Sequence, residues 1–285
     1  MEQRRIADVE VSAIGLGGMP MSIEGRPDEA RSIRTIHAAL DAGVTLIDTA
    51  DAYHLYADDV GHNETLIARA LASYGGDTSN VLVATKGGHL RPGDGSWTLN
   101  SSPEYLKSAC EASLKRLGVE AIGLYQHHRP DPKVPYAESI GAVRDLLDAG
   151  KIRLAGISNA NPDQIKAAQE ILGGRLASVQ NQYSPGFRTS EPEVDLCDEM
   201  GVAFLAYAPL GGSGAAAGLG DRFPAFAEVG RAHGVGPQRV CLAWMLARSP
   251  VVVPIPGSSR PETILDSVEA VGLRLSDEEL ARLNG

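Results

Sequence analysis

The chain of 285 residues predicts an α/β protein, a single (β/α)8 barrel spanning residues 1–285. Three observations predict it. Short β-branched runs recur eight times, amphipathic helical stretches lie between them, and no linker or shift of composition interrupts the alternation. That is the pattern of a parallel sheet covered by helices, and eight such units at this length point to a closed barrel.

Taken in order, the strands are read at Val11–Leu16, Val44–Asp48, Val81–Thr85, Ala121–Gln126, Leu154–Ser158, Ala177–Asn181, Val202–Tyr207 and Val251–Ile255. Each is a short apolar run with β-branched residues. The first helical pattern, Asp28–Ala42, places Ala30, Ile33, Ile36, His37 and Leu40 on one face. Others follow at Asn63–Ser73, Pro103–Leu117, Tyr136–Ala149, Pro162–Leu172, Pro192–Met200 and Pro237–Ala247. Pro103, Pro162, Pro192 and Pro237 stand where helices begin, and Gly43, Gly118, Gly150, Gly173 and Gly201 where they end, the expected asymmetry of helix termini. Met1–Arg5 reads as a lead-in across the barrel floor. A doubly wound open sheet is the alternative, but its fingerprint is a Gly-x-Gly-x-x-Gly turn opening a helix, and Gly15-Leu-Gly-Gly18 is too short for it.

Composition excludes several functions. The 36 acidic residues outnumber the 26 basic ones, for a net charge of −10; nucleic acid is excluded as a partner because phosphate binding needs a cationic face. Cys110, Cys197 and Cys241 are odd in number and far apart, so neither a disulfide framework nor a zinc knuckle is indicated, and a reducing, cytoplasmic location is expected. No signal-like stretch and no run of ~20 apolar residues suggests a membrane. Glycine, at 32 residues, is in excess and is read mostly as helix-end punctuation.

In a barrel the chemistry gathers at the C-terminal ends of the strands. There the chain carries Asp48-Thr-Ala-Asp-Ala-Tyr53, Thr85-Lys-Gly87, Tyr125-Gln-His-His128-Arg-Pro-Asp131, Gly156-Ile-Ser-Asn159, Val179-Gln-Asn-Gln-Tyr183, Tyr207-Ala-Pro-Leu-Gly-Gly212 and Ile255-Pro-Gly-Ser-Ser-Arg260. A tyrosine holds its proton until about pH 10. A lysine cation beside it favours the phenolate, and a carboxylate fixes the lysine. Asp48, Lys86 and Tyr53 would thus make a proton donor for a carbonyl oxygen as a hydride arrives at the carbon, with His128 orienting the substrate. No metal is needed, and the spacings of His54, His62 and His89 match no ligand signature. Singly, each residue has a plainer reading: Asp48 as a strand-end cap, Lys86 as a solvated loop lysine, Tyr207 as core, Trp97 as a loop cover or a substrate-pocket wall, and Glu64 as a helix N-terminal carboxylate favoured by the macrodipole.

From Ile14-Gly-Leu-Gly-Gly-Met19 through Gly61-His-Asn-Glu64 to Ser258-Ser-Arg260, these motifs in this order resemble the aldo-keto reductases. The resemblance implies a TIM barrel that reduces carbonyls with NAD(P)H, its catalytic tetrad falling on Asp48, Tyr53, Lys86 and His128. The family pattern Tyr-Gln-x-His before Arg-Pro-Asp selects His128 over His127, which strand alternation turns to the opposite side. It places Gly18, Met19, Ser158, Asn159 and Gln180 around the cofactor, the last three at the nicotinamide carboxamide, and stacks the ring on Tyr207. Pro209, Leu210 and Gly211 open the glycine-rich stretch Leu210–Gly220, which would fold over the pyrophosphate. Ser258, Ser259 and Arg260 match the adenosine 2′-phosphate site and favour NADPH, with NADH as the alternative: Gly257 stands where many relatives carry lysine, Thr263 where many carry arginine, and Leu265-Asp-Ser267 replaces the frequent Glu-Asn pair.

The expected protein is therefore a monomeric or weakly self-associating NADPH-dependent reductase of small aldehydes and ketones. A cofactor-sensing subunit related to potassium-channel beta subunits is the second reading, for which an N-terminal extension would be the mark; the chain starts about ten residues before its first expected strand. A metal-dependent barrel hydrolase is the third. The chain ends at Gly285, directly after a helix begun by Ser276-Asp-Glu-Glu279. Without a long tail the pocket is expected to open to small or varied carbonyls, aromatic aldehydes and pyridoxal among them.

Overall fold

A hairpin begins the chain in the computed structural model, which describes residues 1–212 and 214–285. Its strands are β1 (Gln3–Ile6) and β2 (Val9–Ser12). Then come β3 (Leu16–Gly17), α1 (Glu29–Asp41), β4 (Leu46–Asp48), α2 (His62–Ser73), β5 (Leu82–Gly87), a small hairpin of β6 (His89–Leu90) and β7 (Thr98–Leu99), and α3 (Pro103–Leu117). The alternation continues through β8 (Ile122–His127), α4 (Tyr136–Asp148), β9 (Ile152–Ser158), α5 (Pro162–Ile171), β10 (Leu176–Gln182), α6 (Glu191–Met200) and β11 (Ala203–Tyr207). The last part comprises α7 (Leu219–Arg222), α8 (Pro224–His233), α9 (Pro237–Arg248), β12 (Val252–Pro254), α10 (Pro261–Val268) and α11 (Asp277–Asn284).

Eight strands pair in parallel in the order β3, β4, β5, β8, β9, β10, β11, β12. The sheet closes on itself where Gly15 N–H donates to Pro254 O at 2.9 Å and Gly17 N–H to Pro256 O at 3.0 Å. This seam requires glycine: a Cβ on Gly17 would lie 2.9 Å from Ile255 O, and one on Gly15 2.9 Å from the Ile255 side chain. The fold is thus the expected (β/α)8 barrel.

The first expected strand is corrected. Val11–Leu16 is two strands: Val9–Ser12 pairs antiparallel with β1, and only Leu16–Gly17 joins the barrel. Apolar periodicity reports which side chains are buried but not that the chain changes direction between them. The turn is held by Ser12, whose hydroxyl donates to Ile14 O at 2.7 Å while its N–H donates to Thr45 Oγ1 at 2.8 Å. The β1–β2 hairpin floors the barrel, since Ile6 and Val11 are buried with Leu46, Leu82, Leu124, Leu205 and Val253, whereas no residue of Met1–Arg5, the expected lead-in, is buried.

Helix ends follow the sequence. Asp28 caps α1 by accepting from Arg31 N–H at 2.7 Å, and Asn161 with Gln164, and Ser276 with Glu279, form capping boxes. Gly118 and Gly201 end α3 and α6 with φ of 69° and 65°, the left-handed turn that glycine enters freely. Outside the barrel, Trp244 stacks on Tyr183 at 5.5 Å and anchors the larger apolar layer between strands and helices. Helices α7 and α10 and the β6–β7 hairpin were not anticipated. Among the described residues, no helix is long and apolar enough to cross a membrane.

Candidate active site

Asp48, Lys86 and His128 stand at or just past the C-terminal ends of β4, β5 and β8, and Tyr53 on the loop after β4, so barrel closure brings the four together. Lys86 Nζ donates to Asp48 Oδ2 at 2.7 Å, to Thr49 O at 2.8 Å and to Tyr53 OH at 3.2 Å. The ammonium thus spends its three protons on a carboxylate, a carbonyl and the phenol. Lys86 is not a solvated loop lysine; it is 0% exposed. Across the barrel, Gln180 Nε2 donates to Asp48 Oδ1 at 2.7 Å. The ring of His128 meets that of Tyr53 edge-on at 5.9 Å.

Electrostatics follow from burial and neighbours. Burial raises the Tyr53 pKa above its ordinary 10, opposed by the Lys86 cation and reinforced by Asp48. The cation moderates the phenol without bringing it below its usual value. Burial disfavours the Lys86 ammonium, but Asp48 and Tyr53 outweigh it and hold its pKa above the ordinary 10.5. Burial, with Lys86, His89 and Arg129 nearby, holds His128 well below the usual histidine range, so it is a neutral imidazole. Its buried Nδ1 has no hydrogen-bond partner among the described residues. His127 faces the other way, 2.9 Å from Ser101 Oγ and against the Tyr136 ring.

A second group lies beside these four. Asn159, at φ 57°, accepts on Oδ1 from Tyr207 OH at 2.8 Å and from Arg129 at 3.0 Å, while its Nδ2 donates to His128 O at 3.0 Å. Ser158 Oγ donates to Gln180 O at 2.8 Å. Ser158, Asn159, Gln180 and Tyr207 therefore form one amide-and-phenol wall adjoining Asp48, and a half-buried aromatic ring with amide donors and acceptors suits a nicotinamide carboxamide. Gly18 N–H donates to Asp48 O at 2.8 Å, and Met19 starts a 3-10 turn just beyond.

The remaining expected cofactor residues lie further round the rim. Pro209 and Leu210 pack on the core side, where Pro209 O accepts from Cys241 Sγ at 3.5 Å. Gly211 and Gly212 take φ of 97° and 95°; Ser213, in the same stretch, lies outside the described residues. Ser258 is buried and hydrogen-bonds Thr263 and Arg260 O at the start of α10, leaving Ser259 half-buried and Arg260 exposed. An exposed guanidinium beside a helix N-terminus suits a phosphate.

Several contributors were missed. Asn63 Nδ2 donates to Gly18 O at 2.8 Å and to Ser22 Oγ at 2.7 Å, and its Oδ1 accepts from Thr49 Oγ1 at 2.7 Å; it ties the first two rim segments together. Its place in Gly61-His-Asn-Glu64 was the available signal. Arg129, directly after His128, holds Asn159. His54, His62 and His89 go to separate partners: His54 to Tyr56 O at 2.8 Å, His62 to Ser22 Oγ at 2.8 Å, and His89 edge-on to His128 at 5.0 Å.

The chain is similar to known proteins over nearly its whole length. The Aldo/keto reductase family model matches residues 13–285. An uncharacterized oxidoreductase of Schizosaccharomyces pombe is 34% identical over 98% of this chain and 88% of its own length. Among solved structures, the glycerol dehydrogenase of Gluconobacter oxydans superposes with a TM-score of 0.83 at 28% identity, covering 99% of this chain and 94% of that one. An aldo/keto reductase of Klebsiella pneumoniae, solved in complex with NADP and acetate, gives a TM-score of 0.81 at 27% identity over 98% and 93% of the two chains.

Proposed function

Because the chain belongs to the aldo/keto reductase family, a family of oxidoreductases, we propose that it reduces aldehydes and ketones to alcohols with NADPH, Tyr53 acting as general acid. The carrying observation is the Lys86 ammonium held at once by Asp48 Oδ2, Thr49 O and Tyr53 OH. The phenol gives its proton to the carbonyl oxygen, and the adjacent cation stabilises the phenolate left behind. Asp48 keeps Lys86 charged and in place. His128, neutral and beside Tyr53, hydrogen-bonds the carbonyl oxygen and sets its approach. Ser158, Asn159, Gln180 and Tyr207 would hold the nicotinamide end of the cofactor, Gly18, Met19, Pro209, Leu210 and Gly211 its middle, and Ser258, Ser259 and Arg260 its 2′-phosphate. When bound, NADPH supplies the hydride. The Klebsiella pneumoniae relative's complex with NADP supports this cofactor.

The test is the Tyr53→Phe protein. It should bind NADPH as the wild type does, read by cofactor fluorescence, and lose about 100-fold or more in kcat, the usual worth of a positioned acid. Unchanged turnover would overturn the assignment. NADPH consumption against a panel of aldehydes, ketones and sugars decides the rest: failure with every carbonyl despite tight cofactor binding would favour the sensing subunit.

A further inference from the structure

The geometry points to His89 as a specificity-determining residue that hydrogen-bonds a hydroxyl group on the ring of an aromatic aldehyde substrate, with Trp97 as the flat wall beside that ring. This rests on the reductase reading above and names its substrate class.

Three residues beyond Lys86, the β6–β7 hairpin rises from the end of β5 with His89 opposite Leu99. The His89 ring stands edge-on to His128 at 5.0 Å and lies against Trp97 at 4.6 Å, tilted by 34°. Tyr53, His128, His89 and Trp97 thus form a continuous run of rings, from the proton donor at the bottom of the site to the surface, where Trp97 is 39% exposed. A planar substrate with its carbonyl at Tyr53 and His128 lies along this run, since aromatic faces and edges pack well against one another.

The ring nitrogens of His89 make no hydrogen bond to the described residues, yet neither is sealed off as an enclosed unpaired atom. His128 Nε2 is in the same condition. Two imidazoles with available nitrogens thus stand side by side, their rings 5.0 Å apart, and one of them is surplus to holding the carbonyl. Burial and the neighbouring Arg129 lower the His89 pKa to about 4, so at neutral pH it offers one donor and one acceptor without charge. That chemistry matches a hydroxyl better than a carboxylate or phosphate.

The hairpin is also fixed in place, as a specificity element must be. Buried Arg91 donates to His54 O at 2.7 Å, pairs with Glu24, and holds its guanidinium 4.9 Å from the Trp97 ring centroid. The loop after Tyr53, the loop before α1 and the hairpin share this one side chain.

The experiment measures kcat/KM for 3-hydroxybenzaldehyde, 3-methylbenzaldehyde and benzaldehyde in the wild type, His89→Phe, His89→Gln and Trp97→Ala, each read as a ratio within one protein so that general losses cancel. The wild type should favour the hydroxylated aldehyde over the methylated one by roughly five- to tenfold, the worth of one neutral hydrogen bond. His89→Phe should bring that ratio to about one, His89→Gln should keep most of it, and Trp97→Ala should weaken all three aldehydes while preserving it. Binding is read separately from turnover, by titrating the NADPH-loaded proteins with 3-hydroxybenzyl alcohol and benzyl alcohol. A wild-type preference near one, or one that survives in His89→Phe, overturns the assignment. A hydroxyl preference in binding, lost in His89→Phe, with no aldehyde reduced by the wild type, would instead overturn the reductase reading and leave His89 as the hydroxyl-recognising group.

Discussion

Asp48 is gripped from two arcs of the barrel: Lys86 on β5 donates to its Oδ2 and Gln180 on β10 to its Oδ1, each at 2.7 Å. The carboxylate is the only anion touching the buried Lys86 ammonium among the described residues. Replacing it in Asp48→Asn leaves that charge uncompensated inside the protein and presents it with an amide of similar shape. Removing one member of a buried pair costs about 3–5 kcal/mol, so the urea midpoint of the variant should fall accordingly and Lys86 should lose its proton at lower pH. A loss below ~1 kcal/mol would show that the pair does not hold the site together.

Asp51 makes a pH prediction. It is buried, accepts from Tyr105 OH at 3.0 Å on Oδ2, and leaves Oδ1 unpaired. Beside it is buried Glu64, which takes Arg116 at 2.5 Å and Thr85 Oγ1 at 2.6 Å. Two carboxylates thus share one cation, and Glu64 has it. Burial, with Glu64 adding to it, raises the Asp51 pKa from 3.8 to about 7. The folded state therefore holds this proton more tightly than the unfolded chain. The resulting stability is fully present below pH ~4 and is lost as the pH rises to ~7, on the order of 4 kcal/mol across the window. Urea unfolding at pH 5 and pH 8 should show the wild type losing stability relative to Asp51→Asn over that interval. Parallel pH dependence in the two proteins would contradict the charge count.

These two carboxylates also mark where the sequence is informative and where it stops. Strand ends carry short, chemically loaded motifs, and barrel closure brings strand ends together, so Asp48, Tyr53, Lys86 and His128 could be grouped before any coordinates. Strand parity separated His127 from His128 because alternation is a local property. The hairpin carrying His89 was hidden because strands of two residues are too short to alternate. Glu64 reads from the sequence only as a helix N-terminal carboxylate and Asp51 only as part of a strand-end motif, since burial among α2, α3 and β5 is a property of packing across long sequence separations. The same holds for Arg91 and Asn63, polar side chains whose role is to join loops that only the fold makes neighbours.

Gly18 tests one such join. Its φ of −79° suits any residue, but a Cβ there would fall 2.4 Å from Asn63 Oδ1 and 2.9 Å from Asp48 O. Gly18→Ala must therefore displace the amide that links Gly18 O, Ser22 and Thr49. Overpacking of this kind costs about 1–3 kcal/mol, and the shift is passed to Asp48 through the Gly18 N–H bond to its carbonyl. Thermal unfolding should report the loss, and NADPH affinity should fall with it. Wild-type affinity in a destabilised variant would remove Gly18 from the cofactor site while keeping its structural role.

Arg260 is the residue on which the proposed preference between the two nicotinamide cofactors is tested. It is exposed at the start of α10 and makes no side-chain hydrogen bond to the described residues, while Ser258 beside it is engaged with Thr263 and Arg260 O. A guanidinium with all its donors available is the group that a 2′-phosphate rewards, through charge-assisted hydrogen bonds of about 1.5–3 kcal/mol. Arg260→Ala should weaken NADPH binding by roughly 10- to 100-fold and leave NADH nearly unaffected, because NADH has a hydroxyl where NADPH has the phosphate. Since the side chain stands in solvent, the wild-type preference should also shrink as salt rises, and that of the variant should not. Cofactor fluorescence titrations at low and high ionic strength measure both effects. Equal losses for the two cofactors would place Arg260 on a part of the molecule they share and remove the basis for an NADPH preference.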